Sequence, residues 1–348
     1  MSAFNAKEAA AMENCNSIEV SDIVVTQLTE YVSVIALSYR NNPFHNFEHA
    51  CHVAMSVNKL LNRIVAPDLS KEDMDQLEEG GLSSHLHDFT HGINSDPMAV
   101  FAIVFSALIH DADHRGVSNV QLAKEEPEMG DLYHCKSVAE QNSLDVSWEL
   151  LMSSQFDQLR TLLFGTEAEL LRFRQFIVNV VLATDIFDKE LNDMRKTRWG
   201  RAFSEGGQSA GQEDISDLRA TIVIEHIIQA SDVSHTMQHW HVYIKWNKHL
   251  FMEMLTAYRA GRMGADPSNF WYQGELGFFD NYIIPLAKKL KECNVFGVSS
   301  DEYLNYAVRN RAEWEQRGKE ITDGYVKSMN AFTDVERVDN MSRTTSSH

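Results

Sequence analysis

The sequence predicts an all-α protein, and three observations predict it. Proline is scarce, 6 in 348 residues, and glycine is modest at 17, so little of the chain is punctuated by turns. Leu, Ala, Glu, Met and Gln, all good helix formers, recur in long runs. No segment shows the strict alternation of a half-buried strand, whereas apolar residues return every three or four positions in segment after segment.

The first helix opens at Ser21-Asp22 and carries Ile23, Val24, Gln27, Leu28, Tyr31, Val32 and Ile35, stopping before the turn signal Asn41-Asn42-Pro43. The second begins near Asn46 and buries Val53, Val57, Leu60 and Ile64. Residues 66–95 are acidic and then rich in Gly and Ser, which suits a surface loop or a short irregular helix pair. Asp96-Pro97 then supplies an N-cap and a first-turn proline. Behind it Met98 to Ile109 is apolar on every side, the mark of a central buried helix. Further helical patterns cover about 135–153, 155–163, 167–196, 217–237, 240–260 and 277–292, and a last one runs from Ser300-Asp301 to about 329. Phe203 to Gln212 reads as a loop. Composition never shifts enough to cut the chain, so one domain is expected over 21–330, between an extension at 1–20 and a flexible tail at 331–348.

Lys and Arg number 31 against 50 Asp and Glu, a formal charge of −19. That field favours solubility and repels nucleic acid and anionic membrane surfaces, so no nucleic-acid partner is expected. An anionic substrate would need a local positive centre. The longest apolar stretch is too short to span a bilayer, so no membrane segment is expected. The N-terminus shows no signal-peptide pattern. Four scattered cysteines without C-x-x-C spacing fit unpaired thiols and a cytoplasmic setting, the cytosolic domain of a larger membrane-associated protein included.

The chemistry is concentrated in histidines and aspartates at the ends of apolar helices. His49 lies four residues before Val53 and eight before Val57, and so faces inward with them. His110-Asp111 closes the most apolar helix, with His114 one turn on, and Asp232 ends the run Thr221 to Ala230. Buried imidazoles and carboxylates are costly unless something satisfies them, and a divalent metal does. His49, His110, Asp111 and Asp232 are therefore the candidate ligands. Asp111, a carboxylate directly after a histidine, is the natural bridge between two ions, which together activate a water for in-line phosphoryl displacement. His45, four residues before a ligand, is close enough to act as general acid without binding metal. Glu140 is a plausible acceptor for metal-held water, and Glu313, beside Trp314, is the carboxylate expected to orient His45. His87-Asp88-Phe89-Thr90-His91-Gly92 repeats the pattern of His110 to Gly116, but follows Gly80-Gly81 and precedes a turn, so His85, His87 and His91 are expected to be hydrated loop residues.

These residues also spell a family pattern. Asn42-Pro43-Phe44-His45-Asn46-Phe47-Glu48-His49-Ala50 and Ala107 to Asn119 resemble the two signatures of the class I cyclic nucleotide phosphodiesterases. Val181-Leu182-Ala183-Thr184-Asp185, Ala230-Ser231-Asp232-Val233-Ser234 and Gly277-Phe278-Phe279-Asp280 resemble later segments. The resemblance runs in order over about residues 20–330. It implies an all-α domain of about sixteen helices, a tight zinc site and a weaker magnesium or manganese site, and hydrolysis of a 3′,5′-cyclic nucleotide to the 5′-monophosphate. By the same resemblance His45 protonates the 3′ oxygen, and His49, His110, Asp111 and Asp232 hold zinc. His114 and Glu140 then serve the magnesium waters, and Phe278 clamps the base, with Asp185, His235 and Glu275 on the substrate side. A homodimer or a place in a larger signalling protein is compatible with it.

Three positions depart from the family pattern: Phe44 replaces a tyrosine, His235 an asparagine, and Glu275 the purine-binding glutamine. An ionised carboxylate only accepts hydrogen bonds. Guanine offers two adjacent donors and adenine one, so Glu275 predicts a preference for cGMP. Two alternatives stand beside this reading: another His-Asp metal phosphohydrolase acting on linear nucleotides, and a non-catalytic cyclic-nucleotide-binding module.

Overall fold

A computed structural model describes residues 20–64, 90–203, 212–296 and 300–345. They are helical throughout, with no strand among them. Helix α1 (Asp22–Ser38) starts where predicted, Ser21 Oγ accepting the Val24 amide, and ends at an extended Tyr39 ahead of Asn41-Asn42-Pro43. Asn46 caps α2 (Phe47–Leu61), which buries His49, Val53, Val57 and Leu60 on one face. Asp96 caps α3 (Pro97–Ile109), with Pro97 in the first turn. Asp96 is fully buried, and its second oxygen pairs with Arg172.

Helix α3 is the centre of the molecule, packed between α2 and α8 (Glu167–Leu182) and touching α10 (Gln212–Asp232). Its flank meets an aromatic cluster in which Phe105 stacks on Tyr31 at 5.3 Å and lies 5.7 Å from Phe173. The Tyr31 hydroxyl donates to the Ser147 carbonyl at 2.9 Å, tying α1 to α6 (Val138–Met152). Burying these rings removes on the order of 2 kcal/mol of exposure cost per side chain. The C-terminal end of α3 leads into His110, so the hydrophobic centre and the candidate site share one helix.

Several boundaries differ from those expected. Residues 119–132 form two short helices, α4 (Asn119–Glu125) and α5 (Pro127–Leu132), that the apolar pattern does not reveal, and α6 therefore starts at Val138. After α7 (Asp157–Leu163), the segment 167–196 is not one helix. It breaks between α8 and α9 (Lys189–Phe203) because Asp185 Oδ1 accepts the amides of Phe187 and Asp188 at 3.1 and 3.2 Å, closing a side-chain turn. Helix α10 ends at Asp232 and a 3-10 turn, Ser234–Met237, follows before α11 (Trp240–Arg259). The segment 277–292 is also divided: α12 (Trp271–Phe278), a π-turn (Phe279–Ile283) and α13 (Ile284–Glu292). The last helix, α14 (Ser300–Thr345), extends past residue 329 into the stretch expected to be a flexible tail. Among the described residues the α-helices fall a little short of the sixteen expected. His85, His87 and Asp88 lie outside the described residues. His91 is described, and it is buried rather than hydrated, its imidazole pushed down to about 4 by burial and by Arg219. No helix among the described residues is long and apolar enough to cross a membrane.

Candidate active site

The site is assembled from helix ends. The loop before α2 is stapled by its own amides. Asn46 Nδ2 donates to the carbonyls of Asn42 at 2.9 Å and Pro43 at 3.1 Å, and its Oδ1 accepts the His49 amide at 3.0 Å. Asn42 Nδ2 reaches the carbonyls of His45 at 3.1 Å and His114 at 2.8 Å, joining this loop to the turn after α3. That turn needs Gly116: its φ is +68°, and an added Cβ would stand 3.2 Å from Asn42 Oδ1 and 3.6 Å from the Glu253 carboxyl carbon.

At the end of α3, His110 Nδ1 lies 2.9 Å from the Ala107 carbonyl, which fixes the ring. Its Nε2 faces Asp111 Oδ2 at 3.1 Å and Asp232 Oδ1 at 3.4 Å. His49 Nε2 lies 3.0 Å from the same Asp232 oxygen and 3.8 Å from Asp111 Oδ2. The four predicted ligands, on α2, the end of α3 and the end of α10, thus converge within a few ångströms. Both imidazoles are buried, and His110 Nε2 makes no well-aligned hydrogen bond. Burial opposes a proton on His110, yet Asp111 and Asp232 raise its pKa well above 6.5. Burial likewise opposes charge on Asp111 and Asp232, and the facing imidazoles hold both carboxyls well below the usual range. Two ring nitrogens and two carboxylate oxygens crowded together are the kind of donor set that a divalent cation satisfies. These residues fit a divalent cation. Asp111 is 13% exposed at its side chain.

Beside the cluster, His45 Nδ1 is held by Glu253 Oε1, while Glu253 Oε2 accepts the amides of Phe44 at 2.9 Å and His45 at 3.0 Å. Glu253 is buried on α11. Burial works against charge on both partners. Their mutual attraction nevertheless raises His45 to about 9 and brings Glu253 down to about 2. The His45 ring lies 3.9 Å from that of His114, whose own pKa falls to about 4 through burial and the charge on His45. His45 is thus the protonated imidazole of the pair and His114 the neutral one.

On the other side of Asp111, Asn119 Nδ2 donates to Glu140 Oε2 at 2.9 Å and reaches Asp185 Oδ2 at 3.4 Å, and its oxygen accepts the Ala139 amide at 2.8 Å. Ser137 Oγ donates to Asp185 Oδ2 at 2.8 Å. Burial, then Asp185, lift Glu140 to about 7, so it sits at the edge of protonation near neutral pH.

The sequence profile of the 3′5′-cyclic nucleotide phosphodiesterases matches residues 44–295, most of the chain. The chain belongs to that family. It is 27% identical over 285 residues to a probable 3′,5′-cyclic-AMP phosphodiesterase of Caenorhabditis elegans, covering 78% of this chain and 37% of that protein. It is 22% identical over 307 residues to a cGMP-specific 3′,5′-cGMP phosphodiesterase of Dictyostelium discoideum, covering 84% and 56%. A human dual specificity calcium/calmodulin-dependent 3′,5′-cyclic nucleotide phosphodiesterase is 23% identical over 278 residues, covering 76% and 33%. The chain therefore spans between a third and a little over half of the length of these relatives.

Within this phosphodiesterase fold the remaining predicted residues take distinct places. Glu275 on α12 is buried and faces neither solvent nor His235. Tyr243 donates its hydroxyl to Glu275 Oε2 at 2.7 Å, and Trp271 Nε1 donates at 3.2 Å to Asn247 Oδ1 beside it. Burial lifts Glu275 to about 7 against the hydrogen bonds it accepts from Tyr243 and Asn247. His235 packs instead on Phe44 at 5.7 Å and Trp246 at 6.3 Å, and burial holds it neutral with its pKa down to about 3. Phe278 stacks on Tyr282 at 5.4 Å. Glu313 is not the partner of His45: it is paired with Arg317 at 2.7 Å on the exposed face of α14. The partner is Glu253, which the sequence analysis missed. Its signal was a carboxylate on the buried stripe of α11, ten residues after Tyr243 and seven after Trp246. Asn42 and Asn119 were missed for the same reason, since nothing local marks an amide as a strut between distant segments.

Proposed function

We propose that the chain hydrolyses 3′,5′-cyclic nucleotides to nucleoside 5′-monophosphates, with His45 as the general acid. The observation that carries this reading is the tether between His45 and Glu253 beside the His49, His110, Asp111 and Asp232 cluster. A proton donor is held next to the residues fitted for metal, and its negatively charged partner keeps it loaded. His49, His110, Asp111 and Asp232 would hold zinc and Asp111 would also serve magnesium or manganese, and such ions would supply the charge that neutralises the phosphate and acidifies water near neutral pH. The water oxygen adds to phosphorus, the bond from phosphorus to O3′ breaks, and His45 gives its proton to O3′. Glu253 holds the imidazolium at Nδ1, so the opposite nitrogen, Nε2, is the one that faces the leaving oxygen. Glu140, poised near neutrality, accepts a hydrogen bond or a proton from water on the Asp111 side.

Glu275 supports the finer reading, a preference for cGMP. Its carboxylate already takes bonds from Tyr243 and Asn247, and its remaining lone pairs leave acceptor capacity for the adjacent N1–H and 2-amino donors of guanine. Losing such a pair in a dry site costs about 1–3 kcal/mol. The described cysteines, Cys51, Cys135 and Cys293, are free thiols, which supports a cytoplasmic setting, and a homodimer or a larger signalling protein is its proposed context.

Steady-state hydrolysis of cAMP and cGMP by the purified chain, with zinc and magnesium content measured, tests the proposal. Chelator-sensitive turnover is expected, and His45→Ala should keep its metal while losing nearly all activity. Turnover of linear nucleotides in place of cyclic ones would overturn the reading. For Glu275, the ratio of kcat/KM for the two nucleotides should move toward cAMP in Glu275→Gln, and an unmoved ratio would discard the role in base choice.

A further inference from the structure

The end of α3 leaves a carbonyl without its helical partner, and a side chain from outside the helix takes it. Were α3 to continue, Leu108 would accept the amide of Ala112. That amide goes instead to the Ile109 carbonyl at 3.0 Å, as the chain tightens after His110. The Tyr39 hydroxyl fills the gap: it donates to the Leu108 carbonyl at 2.9 Å and accepts the Asp111 amide at 3.4 Å. One oxygen thus grips the chain on both sides of Ile109-His110. Tyr39 follows α1 and is buried, and its ring centroid lies 5.6 Å from that of Phe47, two positions before His49 on α2. The turn is held further along as well. Ser143 Oγ donates to the Ala112 carbonyl at 2.8 Å, and Arg40 Nε donates at 2.9 Å to Oδ1 of Asp113, whose φ is +62°.

Asp111 is the residue whose direction this grip decides. Its amide and the carbonyl three residues before it are pinned to one side chain, with its carboxylate turned to His110 Nε2 at 3.1 Å and His49 Nε2 at 3.8 Å. Without the hydroxyl, two backbone groups at the end of α3 lose a partner and the turn is free to relax toward other bonds. We propose that Tyr39 is a positioning residue of the cluster: its hydroxyl aims Asp111 and thereby sets how tightly the four residues hold a divalent ion. This rests on reading His49, His110, Asp111 and Asp232 as metal ligands, and adds to them a residue that acts through the backbone and not on the ion. Groups that orient metal ligands commonly govern affinity by about tenfold to a hundredfold.

The test measures zinc affinity of the purified wild type, Tyr39→Phe and Tyr31→Phe by competition with a chelator, and the visible absorption of each protein loaded with cobalt. Phenylalanine keeps the ring beside Phe47 and removes only the oxygen, so the first variant should fold. The second is a matched control. It too loses a buried tyrosine hydroxyl that donates at 2.9 Å to a backbone carbonyl, but that carbonyl is Ser147 on α6 and not part of the turn that carries the ligands. Tyr39→Phe should bind zinc about tenfold to a hundredfold more weakly and should change the cobalt band, which reports how the ligands stand around the ion. Tyr31→Phe should keep the wild-type affinity and band, although it is also less stable. Wild-type affinity in Tyr39→Phe overturns the proposal, and so does an equal loss in both variants, which would mark a general loosening of the core. The readout does not depend on turnover. A chain that binds zinc but hydrolyses no cyclic nucleotide therefore refutes the functional reading, while the affinities still decide what Tyr39 does. A wild type that binds no divalent ion overturns both.

Discussion

Replacing Glu253 by glutamine should cost activity in a manner that depends on pH. Glutamine has the same shape but one oxygen in place of two, and no charge. Three donors now converge on the carboxylate: His45 Nδ1 on one oxygen and the amides of Phe44 and His45 on the other. Whichever way the new amide turns, its NH2 end meets a donor. At least one buried N–H then loses its partner, and unfolding should become easier by about 1–3 kcal/mol. The charge matters more for turnover. His45 is raised to about 9, so its proton is present below that pH and is lost as pH rises through it. Without Glu253 the titration should fall back toward the ordinary 6.5. At pH 8 the protonated fraction then drops from about 90% to about 3%, roughly a thirtyfold loss in kcat. At pH 6 both proteins hold the proton and the protonation defect should nearly vanish. The assay is kcat against pH from about 5.5 to 9.5 for both proteins. A defect of the same size at every pH, or a basic limb that does not move, would refute the idea that Glu253 acts by keeping His45 charged.

Three further outcomes follow from other parts of the molecule. Glu275 is raised from 4.5 to about 7 in the fold, so the stability it contributes is fully present below pH 4.5 and is lost as pH rises through 7. Glu275→Gln should therefore be more stable than wild type by about 3 kcal/mol at pH 8 and little different near pH 4.5, read from urea unfolding at the two pH values. A constant difference would contradict the assigned burial cost. Gly318→Ala places a methyl 2.6 Å from Cε2 of the fully buried Trp314, and the resulting overpacking should cost about 1–3 kcal/mol despite alanine's better helix propensity, visible as a lowered Tm. Zinc at about a hundred times its Kd should stabilise the chain by about 2.7 kcal/mol; His110→Asn should abolish most of that gain, and an equal gain in the variant would exclude His110 as a ligand.

The parts of the site that could be read from sequence are those where one helix carries its own contradiction. His49 sits on the stripe that buries Val53 and Val57, and His110 and Asp232 end runs of apolar residues, so each is a polar group where local periodicity demands an apolar one. Glu253 shows the limit. It too lies on a buried face, but its partner is 208 positions away, and spacing along α11 says nothing about the loop that folds over it. The same holds for α8, where the periodicity of 167–196 is continuous but Asp185 turns one oxygen to the amides of Phe187 and Asp188 and closes the turn that separates α8 from α9. The π-turn at Phe279–Ile283 hides similarly, since an extra residue in a helical turn leaves the apolar pattern almost unchanged.

His49 lies in the first turn of α2, His110 caps the end of α3, and Asp232 is the last residue of α10. Each of these three proposed ligands is therefore placed by a helix docked in the core, and the fourth, Asp111, follows His110 in the turn that closes α3. Such a cluster acts as a gauge of fixed aperture. If these residues hold the ion as proposed, one too large or too small could not be accommodated by closing a flap, and selection among metals would rest on dimension and ligand chemistry. It also follows that solvents or temperatures which loosen the packing of α3 should degrade metal selectivity before they degrade secondary structure, so that a swap of ions would be an early sign of a relaxing core.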